Sequence, residues 1–197
     1  MKRAIVSVLT GVVLLAGILG VRRADPDGDR KYEPIATSGV MGQQVNTTTF
    51  QLRVDRVELA GSVRILDSYG LLGTTKTTAG IWVVVWATVA ATTEEFQMQG
   101  ARLRTTDGVE YLTSTVQGTL DKTALQPGIP AYGPILFEIP RDKLAGAVLR
   151  VTRHGTKGGL DHLGPAVDVD LGLSGSYAKS LVQRTPALLT VDQVREL

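Results

Sequence analysis

The amino-acid sequence predicts an all-β fold: an antiparallel β-sandwich behind one N-terminal transmembrane helix, ending in a short C-terminal helical tail. Three observations predict it. The stretch GIWVVVWATVAAT, residues 80–92, is strongly apolar, rich in β-branched and aromatic residues, and too short to span a bilayer as a helix. Short alternating runs on either side of it are separated by turn signals such as Asp107-Gly108 and Pro127-Gly128. The chain opens on an uncharged apolar run from Ala4 to Val21 flanked by Lys2, Arg3, Arg22 and Arg23.

That first run, as a helix rising ~1.5 Å per residue, reaches ~27 Å, close to the thickness of a hydrocarbon core. It is longer than the apolar region of a typical cleaved signal and ends in two arginines, not a small-x-small site. Residues 1–23 are therefore expected to be an uncleaved signal anchor, with the amino terminus inside. Ser7 with Gly11 and Ala16 with Gly20 have small-xxx-small spacing, which ordinary transmembrane composition also produces. RADPDGDRKYEP follows, and residues 24–34 read as a solvated linker.

The sandwich is expected over residues 35–174. In TTTFQLRVDRVELA, Phe50, Leu52 and Val54 alternate, and Val57 and Leu59 resume the alternation one residue out of phase. The slip at Asp55-Arg56 predicts a bulge or bend. Across Ile81 to Ala91 a strand puts Ile81, Val83, Val85, Ala87 and Val89 on one face and Trp82, Val84, Trp86, Thr88 and Ala90 on the other. Both faces are apolar, so this is a central strand, covered on its second face by a loop, a neighbouring segment or a partner. Asp107-Gly108 supplies a tight hairpin. Further strands follow near Ile135–Ile139 and Ala147–Arg153, with a turn at 140–145 between them. In PAVDVDLGL, Val167, Val169 and Leu171 point inward and Asp168 and Asp170 outward. Seven to nine short strands in all are expected. In the tail, residues 175–197, Thr190 and Gln193 have the spacing of a capping box that would start a short helix over TVDQVREL.

Composition narrows the function. With 197 residues, 43% hydrophobic and 20% charged, the chain suits one globular domain plus a non-globular piece. The absence of Cys excludes disulfides, thiolate metal sites, a cysteine nucleophile and a lipid-bearing cysteine. The net charge of +2 resides in the four cations beside the apolar run, since the remaining 17 basic residues face 19 acidic ones. That is no nucleic-acid footprint.

Catalytic signatures are weak. His154 and His162, with Asp161 and Asp168, match no compact ligand spacing, and DVDLGLSGS lacks the later acidic positions of a calcium loop. GTKGGLDHLG is not a phosphate loop, GLSGS is not a nucleophile elbow, and the adjacent Glu94 and Glu95 do not converge. No catalytic, cofactor or metal residue is assigned. An enzyme would need a polar pocket with a perturbed acid or base, nearest to His154, Asp161 and His162. Trp82, Trp86, Tyr69, Tyr111 and Tyr132 could line an aromatic platform, but the two Trp, four apart on one strand face, read as packing. Tyr132, in the PGIPAYGP turn, is the expected exposed aromatic.

From about Phe50 to Val151 the chain resembles a family of exported bacterial immunoglobulin-like domains. The resemblance rests on Asp107, Gly108 and Tyr111, then Pro127 and Gly128, then Phe137, Glu138, Ile139 and Pro140 with Leu144. That family is usually carried on a lipoprotein or membrane anchor, is mostly of unknown function, and has a secreted mycobacterial immunoprotective antigen as a structural relative. The resemblance implies an immunoglobulin-like β-sandwich outside the cytoplasmic membrane and carries over no catalytic residues. This chain departs from the family in lacking the lipid-bearing Cys and in adding the tail.

The expected function is a membrane-anchored, extracytoplasmic interaction domain without catalysis or cofactor. It would contact the membrane through its N-terminal helix and a protein or envelope component through Tyr132 and the tail residues Thr190, Val191, Val194 and Leu197. The alternative is a small structural subunit of a larger envelope complex, assembled through the anchor and the tail.

Overall fold

A computed structural model describes Gly17 and residues 34–66, 72–98, 100–153 and 164–197. Apart from Gly17 and Pro34, the expected anchor and linker lie outside the described residues, as do Tyr69, His154, Asp161 and His162. Among the described residues no helix is long and apolar enough to cross a membrane.

The strands run in order β1 (Ile35–Val40), β2 (Gln44–Asn46), β3 (Phe50–Leu66), β4 (Leu72–Ala91), β5 (Phe96–Gln97), β6 (Arg102–Arg104), β7 (Glu110–Leu112), β8 (Ala124–Leu125), β9 (Ala131–Ile139), β10 (Val148–Thr152) and β11 (Pro165–Asp170). Helix α1 (Gly175–Gln183) and strands β12 (Leu189–Val191) and β13 (Arg195–Glu196) complete the chain. A five-stranded sheet has the order β1-β11-β10-β6-β7, and a six-stranded sheet has the path β12-β3-β4-β9-β13 with β2 beside β3. β5 and β8 pair separately.

The predicted sandwich is present, and its main core lies between the two sheets. Ile81, Val83, Val85, Ala87 and Val89 of β4 are fully buried in one cluster with Leu103, Leu149, Val151, Val167 and Val169 of the opposing sheet. Each such Val or Leu contributes roughly 1.5–3 kcal/mol by leaving water. Phe50 and Phe96 stack at one end of this core with ring centroids 4.8 Å apart.

The opposite face of β4 forms a second core. Trp82, Val84 and Trp86 pack with Leu136 under Ala60, Val63, Ile65 and Val191. Strand phase explains how β3 serves both cores. Phe50, Leu52 and Val54 face the main core; the register shift between Val54 and Arg56 is the predicted bulge, after which Val57 and Leu59 face it. A second break between Ala60 and Ser62 flips the phase again and delivers Val63 and Ile65 to the second core.

The tail closes that core. β12 pairs parallel with Val63–Ile65 of β3, and β13 pairs antiparallel with Ala131 and Tyr132 of β9, at the other end of the sheet. Four Cα steps from Val191 to Arg195 reach at most ~14 Å. Four strand spacings in a flat sheet would separate β12 from β13 by ~19 Å. The sheet must therefore curl, and it curls around Trp82, Val84 and Trp86.

Three expectations are corrected. TVDQVREL forms no helix: Thr190 is extended in β12, and the helix of this region is α1, one segment earlier. A capping box offers a local hydrogen bond to a helix too short to persist alone, whereas the extended form buries Val191 completely and pairs with β3. The strands are not all short, since β3 has 17 residues and β4 has 20. Nor is the pairing wholly antiparallel: β1 with β11 and β12 with β3 are parallel edge pairs.

Candidate interaction surfaces

On the six-stranded sheet, the strip of outer face beside the second core carries the aromatic residues. Tyr132 is half-buried within β9, not exposed in a turn, and stacks on Trp86 at 5.6 Å with an interplanar angle of 16°. The Arg56 guanidinium lies 4.5 Å from the Trp86 ring centroid and donates to Tyr132 Oη at 2.9 Å, while that of Arg195 lies 5.2 Å from the Tyr132 centroid. Trp86 Nε1 donates to Glu58 at 2.5 Å. Cations already occupy the ring faces, so this cluster is a packed unit rather than an open stacking platform. Trp82 is buried as well, as the packing reading expects.

The five-stranded sheet turns a charged face to solvent. Asp168 on β11 accepts from Arg150 Nε and Nη2, both at 2.8 Å, and from Arg104 Nη2 at 3.2 Å. Burial raises the Asp168 pKa, but the hydrogen bonds and charges of Arg150 and Arg104 outweigh it and hold the carboxyl below its usual range. Arg102 pairs with Glu110 at 2.7 Å in the same face. Asp168 is thus held by two guanidinium groups, and among the described residues no three His, Asp or Glu gather as metal ligands would.

At the tip of the β6–β7 hairpin, Gly108 takes the positive φ of 82° that the Asp-Gly signal predicts. Asp107 accepts from Lys143 Nζ at 2.7 Å and from Thr105 Oγ1, and the ammonium draws its pKa down to about 2. A cavity of about 290 Å³ beside the second core is lined by Val63, Ile65, Lys76, Val116 and Gln193 among others. Among the described residues Lys76 is its one titratable lining residue.

The tail residues separate. Val191 is fully buried and Val194 is partly buried against the main core, whereas Thr190 and Leu197 are exposed. The five named interaction residues do not form one patch, because Val191 and Val194 are packed inside the fold and Tyr132 is engaged by Trp86, Arg56 and Arg195.

The most open feature is β1, which sequence reasoning passed over. Five of its six residues, IATSGV, are exposed and none is charged, with Ile35 66% and Val40 55% accessible. In its register with β11 the N–H of Ile35 donates to Gly164 C=O, just before that strand, and the N–H of Met41 to Asp170 C=O at its end, so the peptide groups of the odd-numbered residues face β11 and those of the even-numbered ones face outward. Val40 is satisfied by its own turn: its carbonyl accepts from Gln43 N–H at 3.0 Å and its N–H donates to Gln43 Oε1 at 3.4 Å. The N–H and C=O of Ala36 and Ser38 have no partner among the described residues. The other edge strands β2, β7, β12 and β13 are two or three residues long. An uncharged six-residue run without Pro or Lys, at the start of the domain, is the signal that could have found this edge.

No protein-family model matches this chain, and no curated protein matches it. Among solved structures it is similar to an uncharacterised β-sandwich protein from Clostridium difficile 630, at 14% identity over 71% of this chain and 96% of that one, with a TM-score of 0.46. It is similar to the yjhA protein of Bacillus subtilis at 14% identity, over 67% of this chain and 99% of that one, with a TM-score of 0.49. A third similar structure is MPT63, a secreted protein of Mycobacterium tuberculosis, at 18% identity over 70% of this chain and 98% of that one, with a TM-score of 0.46.

Proposed function

We propose that this chain is an extracytoplasmic interaction module, of immunoglobulin-like type and without catalytic activity, held at the cell membrane by its N-terminal apolar segment. Its contact is made through the open edge of the five-stranded sheet. The observation that carries this reading is β1, a six-residue, uncharged edge strand whose Ala36 and Ser38 peptide groups face away from the protein. An extended segment added there gains main-chain hydrogen bonds with no rearrangement of the sandwich. The run from Ala4 to Val21 and its flanking cations support membrane attachment, and the peptide groups of Ala36 and Ser38, without a partner among the described residues, support a binding role.

Assembly through the tail as a free peptide is less well supported, because Val191 and both tail strands are used inside the fold. Deleting residues 186–197 would accordingly test folding rather than binding.

The test is Ser38→Pro in the full-length chain. Proline removes the outward N–H of Ser38 and leaves the β11 ladder, which the odd-numbered residues make. Crosslinking in intact cells should lose the product given by the unaltered chain, while circular dichroism of the purified variant keeps its β signal. An unchanged crosslinking pattern with Ser38→Pro would overturn the edge as the contact site. Protease treatment of spheroplasts checks the location: residues 34–197 should be digested from outside, and full protection would refute it.

A further inference from the structure

We infer that the occupant of the β1 edge is a second copy of this chain, paired antiparallel through β1 about a two-fold axis at Thr37. The inference rests on the edge reading above and adds the partner and its register. Among the described residues, the groups left without a partner on each edge are the N–H and C=O of Ala36 and of Ser38. In an antiparallel pair, two residues that face each other with their peptide groups exchange both hydrogen bonds. Setting Ala36 opposite Ser38 of the second copy, and Ser38 opposite its Ala36, uses every free group on both strands in four hydrogen bonds. Centring the pair on Ser38 instead would call on Val40, whose N–H and C=O are already engaged by Gln43.

The side chains agree with this register. Thr37 meets Thr37 of the second copy at a non-hydrogen-bonded position, a favourable cross-strand pairing. Ile35, the most exposed residue of β1, falls opposite Gly39, which has no side chain; a Cβ there would collide with Val45 Cγ2. Val40 falls opposite Pro34. No residue of β1 is charged, so the pairing places no like charges together. The pair is isologous and closed, joining two five-stranded sheets edge to edge.

Four hydrogen bonds and a few apolar contacts make a small interface. Two copies attached to one membrane would meet at a much higher effective concentration than free domains. The two Pro34 residues would then lie six residues apart along the pair, ~20 Å.

The chain contains no Cys, so single cysteines report this contact without background. In the register proposed, the Thr37 Cα atoms of the two copies are ~4.5 Å apart, within disulfide range. The two Ile35 residues are ~13 Å apart along the strands, beyond that range. Full-length Thr37→Cys, oxidised in the cells that express it, should run as a disulfide dimer on a non-reducing gel. Ile35→Cys should remain monomeric. Ala36→Cys co-expressed with Ser38→Cys should give a mixed dimer that neither gives alone. Self-crosslinking of Ser38→Cys without Thr37→Cys would overturn the register. Thr37→Cys that stays monomeric, while Ser38→Pro still loses another crosslinked protein, would overturn the second copy and leave the edge reading standing. If neither variant has an effect, both readings fall.

Discussion

The outer faces of the two sheets are built from opposite materials. The six-stranded sheet turns Trp82, Val84 and Trp86 outward, curls over them and seals them with Val191 from the tail. The five-stranded sheet turns Arg102, Arg104, Arg150 and Asp168 outward in ion pairs and ends at β1, where the Ala36 and Ser38 peptide groups have no partner among the described residues. An apolar second face commits the chain to closing its own sheet; a charged second face leaves an edge open. The tail therefore belongs to stability, and the first strand of the domain forms the exposed edge of its sheet.

The largest effect expected from this contrast is at Val191. Val191→Asp puts a charge into the second core and should cost at least about 3 kcal/mol, with Val191→Ala costing about 2. Urea unfolding of the two variants measures it, and an unmoved midpoint for Val191→Asp would mean that the tail does not seal the sheet. The Trp pair gives the next test. Trp86 Nε1 is held by Glu58, whereas Trp82 Nε1 is buried without a hydrogen-bond partner among the described residues. Trp86→Phe should therefore destabilise by about 2 kcal/mol more than Trp82→Phe, the worth of a hydrogen bond to a charged group. Equal losses would show that the ring contacts alone decide.

Legibility in the sequence follows the same division. The two faces of β4, the bulge at Asp55, the Asp107-Gly108 hairpin and the Val167, Val169, Leu171 alternation were readable because each is a local pattern whose period the backbone imposes. The far half of the β3–β4 hairpin was not: AGSVRI and GTTKTTAG show little alternation, and what holds Val63 and Ile65 is Val191 and the Trp face. TVDQVREL misled for the same reason, since its strand state depends on β3, more than a hundred residues away, while its capping-box spacing is local. Of the candidate contact residues, Thr190 and Leu197 are exposed, whereas β1 shows in the sequence only as an uncharged six-residue run, and it takes the parallel pairing with β11 to show which of its peptide groups are left over among the described residues.

On the five-stranded sheet the effects are smaller. Asp168→Asn leaves Arg104 and Arg150 facing each other without their shared carboxylate, at a cost of about 2 kcal/mol. The pH dependence carries the same sign. The folded pKa lies below the unfolded value of 3.8, so the contribution is complete above 3.8 and is lost as pH falls through the folded value. Acid unfolding of Asp168→Asn should be less steep below pH 3.8 than that of the unaltered chain, and parallel curves would count against the network.

The smallest effect is expected at the hairpin tip, where Asp107 and Lys143 pair in the open. The sign is again that of a depressed carboxyl: Asp107 titrates at about 2 because Lys143 hydrogen-bonds its charged form, with Thr105 adding a second donor. Solvent surrounds both groups, so the pair shifts a titration without holding the sheet. Lys143→Met should bring the Asp107 carboxyl, followed by NMR, back toward 3.8, while the urea midpoint stays within error. A clear loss of stability in Lys143→Met would place the tip of the charged sheet on the same footing as Val191, and the contrast between the two faces would no longer hold.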